Sequence, residues 1–496
     1  MSAGGFGTGV GCGYLLLVMV PLTVLAMTGG LSSANAAGVL TSGPLRRHAR
    51  NPRYFADGSG RAVYLTGSHT WWNLQDRGSA VSPPFDYGHF LDVLAEHNHN
   101  FFRLWVFEQA AWVNWAARAE GFRFSPLPYE RTGPGQALDG GLRFDLSRFN
   151  PGYFERLRSR VLLAGERGFY VSIMLFEGWS IEMKGRPATN GNPWEGHPFR
   201  RENNINGIDG DPKRTGDGRA AHTMALPEVT ALQQAYVRKV VDTVNDLDNV
   251  LYEISNESHG DSVEWQYACI KFVKEYERGK PKQHPVGMTV PWPGGTNEML
   301  LASPADWVSP NPGPANEYRE DPPAADGAKV IVSDTDHLWG IGGNVAWVWK
   351  SFTRGLNPIF MDPWEPRALR DPEWDRAAES LDAEGIRLAL GHARRYAERM
   401  DLSEAKPLGG MASTGYCLAK PGEEYLVFQP GEGSFTVDLT AGKGKQFVSE
   451  WCEPRTGKRQ AGERVSGGAT TTYSPPFAGP AVLYLVSLEL AKQRSR

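Results

Sequence analysis

Val250-Leu251-Tyr252-Glu253-Ile254-Ser255-Asn256-Glu257-Ser258 is a short apolar run that stops at an Asn-Glu pair. Continuous apolar character, rather than alternation, marks a strand buried on both faces of a parallel sheet. In a β/α barrel the functional groups sit at the C-terminal ends of the strands. A strand that ends by presenting a carboxylate is therefore a candidate site element. Two residues alone are a weak signal, and the weight comes from what lies on either side.

Upstream, residues 54–60 read as a strand and turn. Residues 62–67 read as a buried strand that ends in Ser68-His69-Thr70-Trp71-Trp72. Helical spacing follows at 85–97, a strand at 101–107, and a helix at 151–168 with Pro first and Gly last. The strand at 169–175 runs into Phe176-Glu177-Gly178-Trp179, and an amphipathic helix covers 226–244. Downstream come a helix at 265–278 and strands at 285–289 and 305–309. The β-branched run at 329–333 ends in Asp334-Thr335-Asp336-His337. A helix at 345–354, a strand at 356–361 ending in Asp362-Pro363-Trp364, and a helix at 381–400 complete the series.

The series predicts an α/β fold, a (β/α)8 TIM barrel over 52–403. A doubly wound sheet is the runner-up, but no Gly-rich phosphate turn follows the first strand. The Gly/Asn/Asp-rich segment at 180–224 shows no periodicity, which in a compact domain marks a functional or disordered loop. From residue 406 short strands at 424–428, 434–439, 446–451 and 482–486 alternate with Gly- and Pro-rich turns. They predict a small all-β sandwich over 404–490, with a tail at 491–496.

A chain of 496 residues suits two domains plus a targeting segment. Residues 1–36 read as a signal peptide. The apolar run at 15–27 is shorter than the ~20 residues that span a bilayer. Ala34-Asn35-Ala36 fits the small-x-small cleavage pattern, although no Lys or Arg precedes Arg46. A linker at 37–51 follows. The expectation is a secreted or periplasmic monomer without a stable membrane span. The net charge of −4 and the lack of a basic block argue against a nucleic acid partner. Aromatic content is 11%, with 16 Trp, a residue suited both to cores and to stacking on sugar rings. Cys12 would leave with the signal, Cys269 reads as a buried thiol, and Cys417 and Cys452 could pair or stay apart.

The strand ends bring together His69, Trp71, Arg103, Trp105, Glu177, Asn256, Glu257, Asp334, Asp336, His337, Trp339 and Asp362, with Trp179 following the third. Carboxylates facing each other across a Trp-lined cleft suit glycosidic cleavage, in which one carboxyl is protonated and the other ionised. Three motifs carry a family resemblance: Phe55-Ala-Asp-Gly with Leu65-Thr-Gly-Ser-His-Thr-Trp71, Asn100-Phe-Phe-Arg-Leu-Trp105, and Tyr252-Glu-Ile-Ser-Asn-Glu257. A fourth lies in the sandwich, Tyr425-Leu-Val-Phe with Trp451-Cys-Glu-Pro-Arg-Thr-Gly457. In these the chain resembles clan A glycoside hydrolases, and among them the apiosidase-like group with a C-terminal β domain.

The resemblance implies that Glu257 is the acid/base, that Asn256 contacts the sugar, and that Arg103 orients the nucleophile. It implies a nucleophile at the end of the seventh strand, which is Asp334 here, where the clan usually has Glu. Asp334 would be nucleophile or, in an inverting enzyme, base, with Asp336 as fallback. His69, Trp71, Trp105, Trp179, Asp336, His337 and Trp339 are the further substrate-binding candidates. Glu177 and Glu253 read rather as packing or solvent-facing groups. The expected partner is a carbohydrate, with plant cell-wall polysaccharide suggested by the group. No cofactor or metal is assigned. The alternatives are a carbohydrate-binding or scaffold protein on a retired barrel, and a metal-dependent hydrolase built on Asp334, Asp336 and His337.

Overall fold

The computed structural model describes residues 41–77, 84–116, 121–184, 191–365 and 372–494. The signal expected at 1–36, the first linker residues and the last two tail residues lie outside the described residues. Eight strands form the barrel: β1 (Gly67–His69), β2 (Phe101–Leu104), β3 (Tyr170–Glu177), β4 (Val250–Asn256), β5 (Val286–Thr289), β6 (Trp307–Ser309), β7 (Val330–Asp334) and β8 (Asn357–Met361). Every residue in them is buried, which is why their sequence is largely apolar on both faces, with fewer polar residues within the strands or at their ends.

β2 to β8 pair in parallel in chain order, and β8 pairs with β1. The amides of Asn100 and Phe101 donate to the Thr66 carbonyl at 3.0 and 3.2 Å, bringing β1 against β2 to close the ring. That approach requires glycine at the start of β1, since a Cβ on Gly67 would meet the Phe101 carbonyl oxygen at 2.2 Å.

Helices α1 (Tyr87–Glu96), α2 (Pro151–Glu166), α3 (Pro227–Val244), α4 (Val263–Arg278), α5 (Asn297–Ala302) and α6 (Glu317–Glu320) follow β1 to β6 in turn. α7 (Thr335–Trp339) and α8 (Val345–Thr353) follow β7, and α9 (Pro372–Ser380) and α10 (Ala383–Arg399) follow β8.

Of the apolar run at 62–67 only Gly67 belongs to the first barrel strand. Ala62–Val63 pairs antiparallel with Phe55–Ala56, which pairs with Arg46–Arg47. Asp57 sets the intervening turn by accepting the Ser59 and Arg61 amides at 2.9 and 3.1 Å. Leu45, Phe55 and Val63 then pack with Leu251, Trp307, Val330 and Ile359, plugging the end of the barrel where the strands begin.

A hairpin, Tyr129–Gln136 with Leu142–Phe149, occupies the β2–α2 connection, where the sequence pattern showed nothing. Its Tyr129, Phe144 and Leu146 pack on Trp194, Phe199 and Ala221 of the long aperiodic segment. That segment is held by a small core of its own, assembled from residues too far apart in sequence to show a period.

In the C-terminal region the large sheet runs Lys406–Pro407, Cys417–Lys420, Glu424–Gln429, Ala481–Ser487, Gln446–Cys452 and Arg459–Ala461. One face carries Cys417, Tyr425, Val427 and Leu483, covered by Phe435, Val437 and Tyr473 of a second sheet. The other face carries Leu418, Leu426, Phe428, Cys452 and Val482, which join the barrel core. Cys417 and Cys452 therefore face opposite ways, and both are free and buried.

Trp349 on α8 is the joint between the two cores. It is fully buried, donates Nε1–H to the Pro454 carbonyl at 3.1 Å, and packs against Tyr396 and Phe428. Trp349→Ala should lower unfolding free energy by about 3–5 kcal/mol. Urea denaturation followed by circular dichroism checks this, with barrel and sandwich losing stability in one transition. Among the described residues no helix is long and apolar enough to cross a membrane.

Candidate active site

The strand C-termini open onto a cleft of about 910 Å³. Glu177, Asn256, Glu257, Asp336 and His337 line it, among Trp71, Trp105, Trp115, Trp179, Trp292, Trp339 and Trp374. Flat aromatic faces beside polar groups of this kind suit a ligand that is apolar on its faces and hydroxylated at its edges.

β4 ends at Asn256, and Glu257 leaves the strand with φ 45°, in the left-handed region. A side-chain-bearing residue is held there at about 1–3 kcal/mol. Its surroundings enforce the turn. The Glu257 amide donates to Thr289 Oγ1 at 3.4 Å, and Lys184 Nζ donates to the Glu257 carbonyl. Gly178 lets the chain after β3 pass close by, since a Cβ there would meet the Glu257 carbonyl oxygen at 2.5 Å. The carboxyl accepts Trp179 Nε1–H on Oε2 at 2.7 Å. Burial raises its pKa above the usual carboxylate value, against the opposing charges of Lys184 and Arg103 and the Trp179 hydrogen bond.

Beneath the cleft, Arg103 of β2 binds four side chains. Nε and one terminal nitrogen fork onto Glu253 at 2.9 and 2.6 Å, and the latter nitrogen also reaches Asn256 Oδ1 at 2.7 Å. The other terminal nitrogen donates to Asp334 at 2.9 Å and to Asp336 at 3.3 Å. The guanidinium lies 4.9 Å from the centre of the Trp105 ring.

Asp334 is saturated. One oxygen takes Arg103, the other accepts the Asp336 amide at 2.9 Å and so caps α7, and His69 Nε2 lies 3.0 and 2.9 Å from the two. Burial alone would raise this carboxyl, but the His69 and Arg103 charges outweigh it and hold it well below the usual carboxylate range. Asp334 is 0% exposed and is not part of the cleft lining. Asp336 is. Burial, then the charges of Glu257 and Asp334, push Asp336 well above the carboxylate range against Arg103.

His337 is pulled down to about 3 by burial and by Arg103, so it is a neutral imidazole. Asn256 Nδ2 donates to Glu177, so Oδ1 is the acceptor for Arg103 and for His337 Nε2–H at 2.9 Å. His337 Nδ1 is then left to accept the Ser309 hydroxyl at 2.6 Å. The chain of bonds fixes both the Asn256 amide and the His337 tautomer.

Ligand atoms of Asp334, Asp336 and His337 lie within 4.8 Å of one another, close enough to suit a metal ion. The Arg103 nitrogen that bonds both carboxylates already supplies the positive charge at that point, and a dication would have to sit against it.

A profile for a domain of unknown function, DUF6298, matches residues 98–292. No curated protein matches the chain. A solved glycoside hydrolase aligns with TM-score 0.58 at 12% identity, over 90% of this chain and 97% of its own. A glycoside hydrolase family 5 structure from Bacteroides vulgatus aligns with TM-score 0.57 at 13% identity, over 90% of this chain and 93% of its own. The chain shares their fold.

Of the residues expected at the site, Glu257, Asn256, Trp71, Trp105, Trp179, Asp336, His337 and Trp339 line the cleft. Asp334, Arg103 and His69 form the buried layer below it. Glu253 is a buried partner of Arg103 rather than a solvent-facing group, and Glu177 lines the cleft. Glu177 carried the same strand-end signal as Glu257. Trp115 and Trp292 reach the cleft from connections between barrel strands and Trp374 from α9 after the last strand, where no sequence period points to them.

Proposed function

We propose that the chain is a glycoside hydrolase that cleaves O-glycosidic bonds with Glu257 as general acid/base and Asp336 as the second carboxylate. The observation that supports this most is the pairing of the two across the Trp-lined cleft. The Glu257 charge is the largest charge that raises Asp336, so when Glu257 holds the proton Asp336 ionises more easily. One protonated and one ionised carboxyl is the state glycosidic cleavage uses. Asp334 is set aside as the reacting group because each of its oxygens is already bound by protein donors. Its role is then to hold Arg103 and to start α7, so that Asp336 stands in the cleft.

Asp336 would attack the anomeric carbon if the enzyme retains configuration and would activate water if it inverts. Carboxyl separations of ~5–5.5 Å accompany the first and ~6.5–9.5 Å the second. Export from the cytoplasm and action on polysaccharide, with plant cell-wall and other branched glycans as first choices, belong to the same proposal.

A panel of polysaccharides and aryl glycosides, with products followed by chromatography and anomeric configuration by NMR, tests the reading. Hydrolysis of at least one substrate is expected, unaffected by EDTA because no step needs a metal. Loss of activity in EDTA would revive the metal centre on Asp334, Asp336 and His337. The sealing of the β7 carboxylate also favours a second reading, a glycan-binding protein on a retired barrel, and binding without turnover across the panel would select it.

A further inference from the structure

We propose that Glu177 is an additional sugar-binding residue, with its Oε2 as the atom that hydrogen-bonds a hydroxyl of the ring seated beside Trp179 and Asn256. The inference rests on the glycosidase or glycan-binding reading of the cleft. Glu177 closes β3, lines the cleft, and is 0% exposed. Its two oxygens are unlike. Oε1 accepts the Trp179 amide at 2.9 Å and Asn256 Nδ2 at 3.4 Å. Oε2 is buried and has no partner among the described residues.

A buried polar atom without a partner is destabilising unless something supplies the bond. Oε2 belongs to a cleft residue, so a ligand hydroxyl can supply it. Trp179 ties the residue to the reacting groups: its backbone amide binds Glu177 while its ring Nε1–H binds Glu257.

The direction of the bond follows from the charges around Glu177. Burial, then the Glu257 charge, raise the Glu177 carboxyl well above the usual carboxylate range, against the Trp179 amide, the Asn256 amide and the Lys184 ammonium. Asp336, across the cleft, is a further carboxyl whose titration feels Glu177. Glu108 bears on the backbone, where its Oε1 accepts the Glu177 amide at 2.8 Å. Burial therefore favours the protonated form of Glu177. With Oε1 held as acceptor, its O–H sits on Oε2 and donates to a sugar oxygen.

The isosteric Glu177→Gln keeps a carbonyl for the Trp179 and Asn256 donors and places an N–H at Oε2. Glu177→Ala removes both. The probes are D-glucose, D-galactose, D-mannose, D-xylose and L-arabinose, titrated against the fluorescence of the cleft tryptophans at pH 7. At least one should bind the wild-type chain. E177A should weaken it roughly tenfold, and E177Q should recover most of that loss. Infrared difference spectra of the ligand-free chain should show a protonated-carboxyl C=O band in wild type that E177Q lacks.

Equal weakening in both variants, no weakening in E177A, no missing band, or a wild-type chain that binds none of the sugars would each overturn the assignment. Sugar binding with the E177A and E177Q pattern but no hydrolysis across the substrate panel would instead sink the hydrolase reading and leave Glu177 in place.

Discussion

Glu257→Gln is expected to lower kcat on any hydrolysed glycan by roughly 10²–10⁴-fold, the usual contribution of a positioned general acid/base. The fold should be unchanged. The contacts that hold Glu257 in its left-handed turn come from its own amide and carbonyl, through Thr289 and Lys184, and the Gln side chain can still accept Trp179 Nε1–H. Thermal unfolding should therefore match wild type, and the loss should appear in kcat more than in KM.

The pH profile carries a second signature of the same variant. In wild type, activity should fall on the alkaline side as Glu257 loses its proton and on the acid side as Asp336 gains one. Glu257→Gln removes the alkaline limb. It also removes the charge that raises Asp336, so any residual acid limb should move to lower pH. Wild-type turnover in Glu257→Gln would end its assignment as the acid.

The second large effect separates two aspartates two residues apart. Asp336→Asn should abolish turnover by a similar ~10²–10⁴-fold while leaving stability near wild type. Its tie to Arg103, at 3.3 Å, is the longest of that guanidinium's five hydrogen bonds, and an amide oxygen can still accept it. Asp334→Asn should instead destabilise the chain by about 3–5 kcal/mol, because it leaves Arg103 and His69 buried beside a neutral partner.

The sign of the pH dependence follows from the depressed Asp334 carboxyl. Its stabilisation is fully present above the unfolded pKa of ~3.9 and is lost progressively as pH falls from there through the lower folded value. Urea midpoints measured from pH 7 to pH 3 should draw closer for wild type and Asp334→Asn at the acid end without meeting, because the folded carboxyl titrates below that range. A fully stable but inactive Asp334→Asn, alongside an active Asp336→Asn, would return the catalytic role to Asp334.

Most barrel strands were legible because burial on both faces leaves a run of apolar residues, as in Val250–Tyr252 and Val330–Val332, whatever they pack against. Asn256 and Glu257 were legible for the same reason, as the first polar residues where such a run stops. The run at 62–67 misled because a plugging strand inside the barrel mouth is as apolar as a barrel strand.

Asp334 and Asp336 were not separable in sequence. Two residues apart on a continuing strand they would share a face. β7 instead stops at Asp334, whose own carboxylate caps α7, and the change from strand to helix turns Asp336 towards the cleft and Asp334 under it.

What the sequence by itself determined is the barrel strands after the first, their order, and the polar residues at their ends, because burial and periodicity are properties of neighbouring residues. What only the tertiary structure decided is which of those ends meet. Arg103 draws Glu253, Asn256, Asp334 and Asp336 from two other places in the chain to one guanidinium, and Trp179 joins Glu177 to Glu257. Whether a carboxylate reacts or braces depends on how many donors reach each of its oxygens, and those donors come from strands brought together only when the barrel closes.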